Sequence, residues 1–304
     1  MAATVSVASG KGGVGKSVVA SNLALLLARR GKRVVVVDMD VGGANIHILF
    51  GMVNPPGTLT DFLARRVESL EDVAYPFEPC PTLRIIPGTG DTLATANMPY
   101  ARKKRLIKHL KQLSADVVLI DVGPGTNYHS LDFFLMADHY LMVATSDPTS
   151  VLDLYRFIKL AAIRRVLSAF AARGGVAEAL VDRDFTSMEE VLEAAGKAEE
   201  NALTVGRDLL KTFHPGLIVN RVSGGQRMNT LKLKALLKEY VGGELTAVGE
   251  IPEDAAVGRS VRAYLPVIEH APESPAAKAF ERIADWVVAH VDAGCDVEAN
   301  SESA

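Results

Sequence analysis

Apolar runs alternate with amphipathic stretches along most of this 304-residue chain. Runs such as Val34–Val37 and Val117–Ile120 have no polar face, which is the pattern of strands covered on both sides. Strands are predicted at Thr4–Ala8, Arg33–Asp38, Leu83–Pro87, Val117–Asp121, His139–Thr145, Leu217–Asn220 and Ala247–Ile251. Helical spacing fills the intervals, for example at Val18–Arg29, Ala101–Leu113, Ser150–Ala172 and Met228–Val241. This alternation predicts an α/β protein with a doubly wound, mostly parallel sheet flanked by helices. Sites in such sheets lie at the carboxyl ends of the strands. Gly10, Asp38 and Asp121 each stand at or just past a strand end, so they are expected to meet in one crevice.

Length and periodicity suit one domain over residues 1–291 and a polar tail at 292–304. A helical insertion is expected at about 173–213, with helices over Ser187–Ala195 and Glu199–Leu210 and Gly196 as the break between them. It is either a partner surface or a hairpin that caps the sheet. A net charge of −3 argues against a general polyanion binder. Cys80 and Cys295 are too few and too distant for a disulfide scaffold or a paired-cysteine metal site, and suit a reducing, cytoplasmic setting. The first strand begins almost at once, which leaves no room for a leader, and no apolar run reaches the ~18 residues of a membrane span.

The run Gly10-Lys11-Gly12-Gly13-Val14-Gly15-Lys16-Ser17 fits the phosphate-loop pattern G-x-x-x-x-G-K-[ST]. It lies between a predicted strand and a predicted helix, the context that pattern needs. Glycines let backbone N–H groups turn toward a phosphate, and the helix N-terminus adds partial positive charge. Lys16 is expected to reach the β- and γ-phosphates and the Ser17 hydroxyl to bind Mg²⁺. Asp38 and Asp40 follow the second strand, and Asp121 ends the fourth. Asp38 is expected to orient a Mg²⁺-bound water and Asp121 to face Mg²⁺ through water. Asp40 is expected to position or activate the attacking water. Gly123-Pro124-Gly125 makes a loop able to change state when the γ-phosphate leaves.

The second lysine, Lys11, makes the motif Lys-Gly-Gly-x-Gly-Lys-[Ser/Thr], the deviant Walker A form, and with it the chain resembles the MinD/ParA ATPases from about Thr4 to Val291. Asp38–Asn45, with Gly42 and Asn45, is similar to switch I of that family. Asp121–Thr126 is similar to switch II, where the family often has Asp-x-Pro-Ala-Gly. Leu217–Arg221 resembles the strand whose terminal asparagine, here Asn220, holds adenine, and Ile251–Asp254 the second adenine-edge loop. The resemblance implies ATP or ADP with Mg²⁺ as cofactors. Gly10 to Ser17 would hold the nucleotide with Asn45, Asn220, Arg221, Pro252 and Asp254, and Ser17, Asp38 and Asp121 would surround the metal. It also implies that Lys11 reaches a second subunit's nucleotide, so that ATP joins a homodimer. Lys11, Lys16 and Asp40 would carry a slow, partner-stimulated hydrolysis.

Without paired cysteines the chain does not resemble the iron–sulfur carriers of this superfamily. Asp38–Phe50 and Asp132-Phe133-Phe134 are most similar to the FlhG/FleN-like regulators of flagellar number. Three features depart from the expected pattern, one of them the insertion at about 173–213, which is longer than a compact member of the family needs. The chain has three residues before its first strand, so the N-terminal activator motif is not expected. Its last helix carries a core stripe of Phe280, Ile283, Ala284, Val287 and Val291. The polar face of Lys278, Glu281, Arg282 and Asp285 is of mixed sign, unlike a basic membrane-binding helix. Recruitment to a membrane or pole would then go through a partner, first sought at 150–213 and its Arg156, Lys159, Arg164 and Arg165. The alternatives are a ParA-like DNA-binding partition ATPase and a low-turnover nucleotide-dependent regulator. DNA or anionic lipid would bind residues 102–111, where Leu106, Leu110 and Leu113 form a core stripe. Arg102, Lys103, Lys104, Arg105, Lys108 and Lys111 would then face solvent; the same run also reads as a plain solvated face. His47 reads as a packing or hydrogen-bonding residue.

Overall fold

The computed structural model describes residues 2–40, 43–88, 100–170, 180, 183, 185, 187–199, 201–224 and 228–301. Its strands are β1 (Ala3–Ala8), β2 (Val34–Met39), β3 (Tyr75–Phe77), β4 (Cys80–Ile86), β5 (Val117–Val122), β6 (His139–Ala144), β7 (Gly216–Val222) and β8 (Thr246–Pro252). They form one sheet in the order β3-β4-β2-β5-β1-β6-β7-β8. Every neighbouring pair is parallel except β3–β4. The main helices are α1 (Lys16–Arg29), α2 (Tyr100–Lys111), α3 (Tyr128–Leu135), α4 (Pro148–Phe170), α5 (Met188–Ala198), α6 (Ala202–Lys211), α7 (Thr230–Val241), α8 (Ala255–Arg262) and α9 (Pro275–Ser301).

Alternation along each central strand explains why their sequences are apolar throughout. Val34, Val36, Val117 and Leu119 enter a core shared with α1 and α9. Val35, Val37, Val118 and Ile120 enter the opposite core, beneath α2 to α7. Successive strand residues point to opposite faces, so a strand covered twice has no polar position.

The fold differs from the sequence reading in four places. The edge strand β3 was not foreseen: it has three residues, one of them Pro76, which cannot donate to a ladder and is tolerated only at an edge. Gly196 does not break a helix. It lies inside α5, facing α6, where a Cβ would make ordinary van der Waals contact with Leu203 at 3.4 Å. The last helix continues to Ser301 instead of giving way to a tail after Val291. The cations of α2 do not all face solvent. Lys103 pairs with Asp132, Lys111 with Asp138, and Arg105 lies over the Phe62 ring; Arg102 and Lys108 are exposed. The apolar faces of α5 and α6 pack against α4. Arg164 and Arg165 bond Asp132 and Tyr140 rather than standing free.

The parallel strands bring the ends of β1, β2 and β5 to one edge. In the ladder Val7 pairs with Asp121, and Asp121 with Asp38.

Candidate active site

β1 ends at Ala8, and the loop Ser9–Gly15 leads into α1 at Lys16. Gly13 and Gly15 have φ of 81° and 88°, left-handed conformations that cost other L-residues steric strain. Three separate segments hold this loop. The Gly125 N–H donates to the Ser9 carbonyl at 3.2 Å. Asn220, from β7, donates its Nδ2 to the Val14 carbonyl at 2.8 Å. α4 packs so closely on Gly10 that a Cβ would come within 2.2 Å of the Asp153 carbonyl oxygen.

Inside the loop, Lys16 Nζ lies 2.5 Å from Asp121 Oδ1 and 3.4 Å from Ser17 Oγ. Lys16 and Asp121 are both buried, and the second oxygen of Asp121 has no hydrogen-bond partner. Asp38 accepts the Asp40 N–H on one oxygen and the Ile46 N–H on the other, each at 3.0 Å. Burial first, and then the negative charge of Asp121, push the Asp38 carboxyl up to about 7. Two neighbouring buried carboxylates therefore share one lysine, beside a hydroxyl and an unused carboxylate oxygen. Hard oxygen donors in this arrangement fit Mg²⁺.

Asp40 stands at the rim, where a Cβ on Gly123 would come within 3.2 Å of its Oδ1. The segments after β2 and β5 are thus in contact. Lys11 is exposed, and its Nζ donates to Thr149 Oγ1 at 2.9 Å. Thr149 and Asp153 were missed in the sequence, although Asp147-Pro148 signals the helix start that carries both.

The residues expected around adenine lie at the neighbouring ends of β7 and β8, where Val222 pairs with Pro252. Asn220 is buried against the phosphate loop. Arg221 is exposed, has φ of 57° and pairs with Glu253 at 2.8 Å. Pro252 ends β8. Asp254 caps two helices, accepting the Ala256 N–H at 2.8 Å and the Ala276 N–H at 3.1 Å. Burial opposes its ionisation, but those two bonds hold its carboxyl below the usual range. Each of its oxygens thus already accepts a helix cap. Asn45 is exposed and donates to the Gly43 carbonyl. Half-buried His47, its pKa lowered by burial, has an enclosed Nδ1 with no hydrogen-bond partner.

Residues 5–267 match the family model of the CobQ/CobB/MinD/ParA nucleotide binding domain. The chain belongs to this family. It is a P-loop ATPase of the MinD/ParA type. Among curated relatives, the antiactivator FleN of Pseudomonas aeruginosa is 30% identical over 93% of this chain and 85% of its own length. The flagellum site-determining protein YlxH of Helicobacter pylori is 30% identical over 51% of this chain and 52% of its own. Among solved structures, the septum site-determining protein MinD of Pyrococcus horikoshii, complexed with Mg-ADP, superposes with a TM-score of 0.66. It is 24% identical and covers 94% of this chain and 96% of its own. No helix among the described residues is long and apolar enough to cross a membrane.

Proposed function

We propose that this ATPase is an ATP-dependent dimerisation switch that controls the number or site of flagella. The observation that carries the reading is the division of labour between its two loop lysines. Lys16 is buried on Asp121, while Lys11 is exposed and turned outward to Thr149. An exposed cation beside a phosphate loop can exchange the Thr149 hydroxyl for a second subunit's phosphates. The names of FleN and YlxH supply the cellular process.

On this reading the glycine loop and the α1 N-terminus cradle the phosphates. Lys16 exchanges Asp121 for phosphate oxygens. Ser17, Asp38 and Asp121 hold Mg²⁺, which when bound supplies charge neutralisation for phosphoryl transfer. Asp40 orients the attacking water. Asn220 exchanges the Val14 carbonyl for the adenine edge, with Pro252, Arg221 and the Asp254 backbone beside it and Asn45 at the switch. Loss of the γ-phosphate relaxes the contact between Asp40 and Gly123 and frees the two subunits. Recruitment to a membrane or pole goes through a partner. DNA binding through α2 has less support, since Lys111 pairs with Asp138 and Arg105 lies over the Phe62 ring.

The test is the solution mass of Asp40→Ala by light scattering. A dimer with Mg-ATP and a monomer with Mg-ADP is the expected result. A monomer with both removes the switch. Lys11→Ala should still bind ATP and stay monomeric; an ATP dimer of that variant would refute the bridging role.

A further inference from the structure

Away from the nucleotide, a cavity of about 240 Å³ opens between α2 and α4, over the end of α3. That is below the ~300–1,000 Å³ of ordinary cofactor sites and suits anchoring side chains better. Its floor is apolar and half-exposed: Ile107, Leu135 and Met136. Met in particular lets such a surface adapt to a partner. On its wall Lys103 lies 2.5 Å from one oxygen of Asp132, and Arg164 lies 2.8 Å from the other. Among the described residues, two half-buried cations thus share one carboxylate, which leaves one positive charge over in a partly desolvated place. Arg164 and Lys103 keep Asp132 ionised against its burial.

The surface continues beyond the cavity. Leu160 is exposed one turn before Arg164 on α4, and exposed Tyr128 lies under the Arg164 guanidinium at 5.2 Å. Arg102 and Lys108 of α2 add exposed positive charge. Apolar anchors rimmed by cations that outnumber the carboxylates among the described residues match an amphipathic helix with an acidic face.

We propose that the groove between α2 and α4 docks an acidic amphipathic helix of a regulatory protein, with one of its carboxylates completing the Lys103–Asp132–Arg164 cluster. The inference rests on the partner reading above only in that a regulator must dock on this chain. Light scattering tests the switch and peptide binding tests the groove, so either can fail alone.

The experiment uses the full chain and a fluorescein-labelled helical peptide of about 18 residues, with leucines on one face and glutamates beside them. Anisotropy is read against a scrambled peptide, the lysine-for-glutamate counterpart, a DNA duplex and vesicles with anionic lipid. The acidic peptide should bind, more weakly as NaCl rises from about 50 to about 300 mM. Ile107→Lys and Arg164→Gln should each weaken it about five-fold or more. Asp132→Asn removes the internal competitor and should tighten it about three-fold or more, a gain that misfolding cannot imitate. Equal binding of the scrambled peptide, or no response to Asp132→Asn, overturns the proposal. Preference for DNA or vesicles over the acidic peptide also overturns it and returns α2 to a polyanion-binding role.

Discussion

The contact between Asn220 and the phosphate loop can be tested by a double-mutant cycle with Gly15. A Cβ on Gly15 would lie 2.3 Å from Asn220 Nδ2, the same nitrogen that donates to the Val14 carbonyl. Gly15→Ala therefore does two things. It forces a side chain into a φ of 88°, at about 1–2 kcal/mol, and it displaces the Asn220 amide. Displacement strands a buried carbonyl, at about 1–3 kcal/mol. Asn220→Ala alone loses that same bond, so it too costs about 1–3 kcal/mol. Because both substitutions remove one bond, the double variant loses it once. Its destabilisation should fall short of the sum by about 1–2 kcal/mol. Urea unfolding of the nucleotide-free chain measures all four corners, with the slope checked for constancy. Additivity within about 0.5 kcal/mol would refute the claim that Asn220 braces the loop. Gly10→Ala provides the contrast. Its Cβ would meet the Asp153 carbonyl, its carbon and the Leu154 nitrogen, all backbone of α4, so no side-chain truncation should rescue it.

Other perturbations separate chemistry from scaffolding. Lys16→Ala should abolish binding of a fluorescent ATP analogue; it also leaves Asp38 and Asp121 buried without their cation, a loss of about 3–5 kcal/mol in urea. Asp254→Ala should lower the melting temperature through two lost caps, each about 0.5–2 kcal/mol, while ATP affinity stays unchanged; a selective loss of affinity would return its carboxylate to the base. Asp138 accepts the Thr4 N–H and hydroxyl and pairs with Lys111. Burial works against its ionisation, but those partners hold its pKa below the ordinary value. A lowered folded pKa gives stability that is present above about 3.9 and lost as pH falls through the folded value. Asp138→Asn should therefore flatten the acid limb of a stability–pH curve; an unchanged limb would show that the Thr4 and Lys111 contacts do not matter to it.

Much of the fold was legible because its signals are local. Strands covered on both faces must be apolar at every position, so Val34–Val37 announces itself, and the phosphate loop is contiguous from Gly10 to Ser17. Asp38 and Asp121 could be paired because both end central strands, and the ladder sets them opposite each other. What stayed hidden depends on distant partners. Gly196 reads as a breaker until Leu203 is seen against it. The cations of α2 read as a solvated run until Asp132, Asp138 and Phe62 arrive from other segments.

The same distinction applies within the site. The motif specifies which atoms meet a phosphate, but its shape is held from outside: by Asn220, 206 residues after Val14, by Gly125 and by the backbone of α4 at Asp153. Each of these braces leads to a segment with its own task. Gly125 belongs to the loop that follows β5, Asn220 stands near the end of β7, and the first turn of α4 carries Thr149, the partner of Lys11. A change in any of them alters the loop without touching its sequence. On the proposed function, a ligand that draws Lys16 off Asp121 acts on the same loop that these three contacts hold. The proposed switch needs this loop to join the occupancy of its own crevice to the exposed surface around Lys11, and the contact of Lys11 with Thr149 at the start of α4 is the place to look for that coupling.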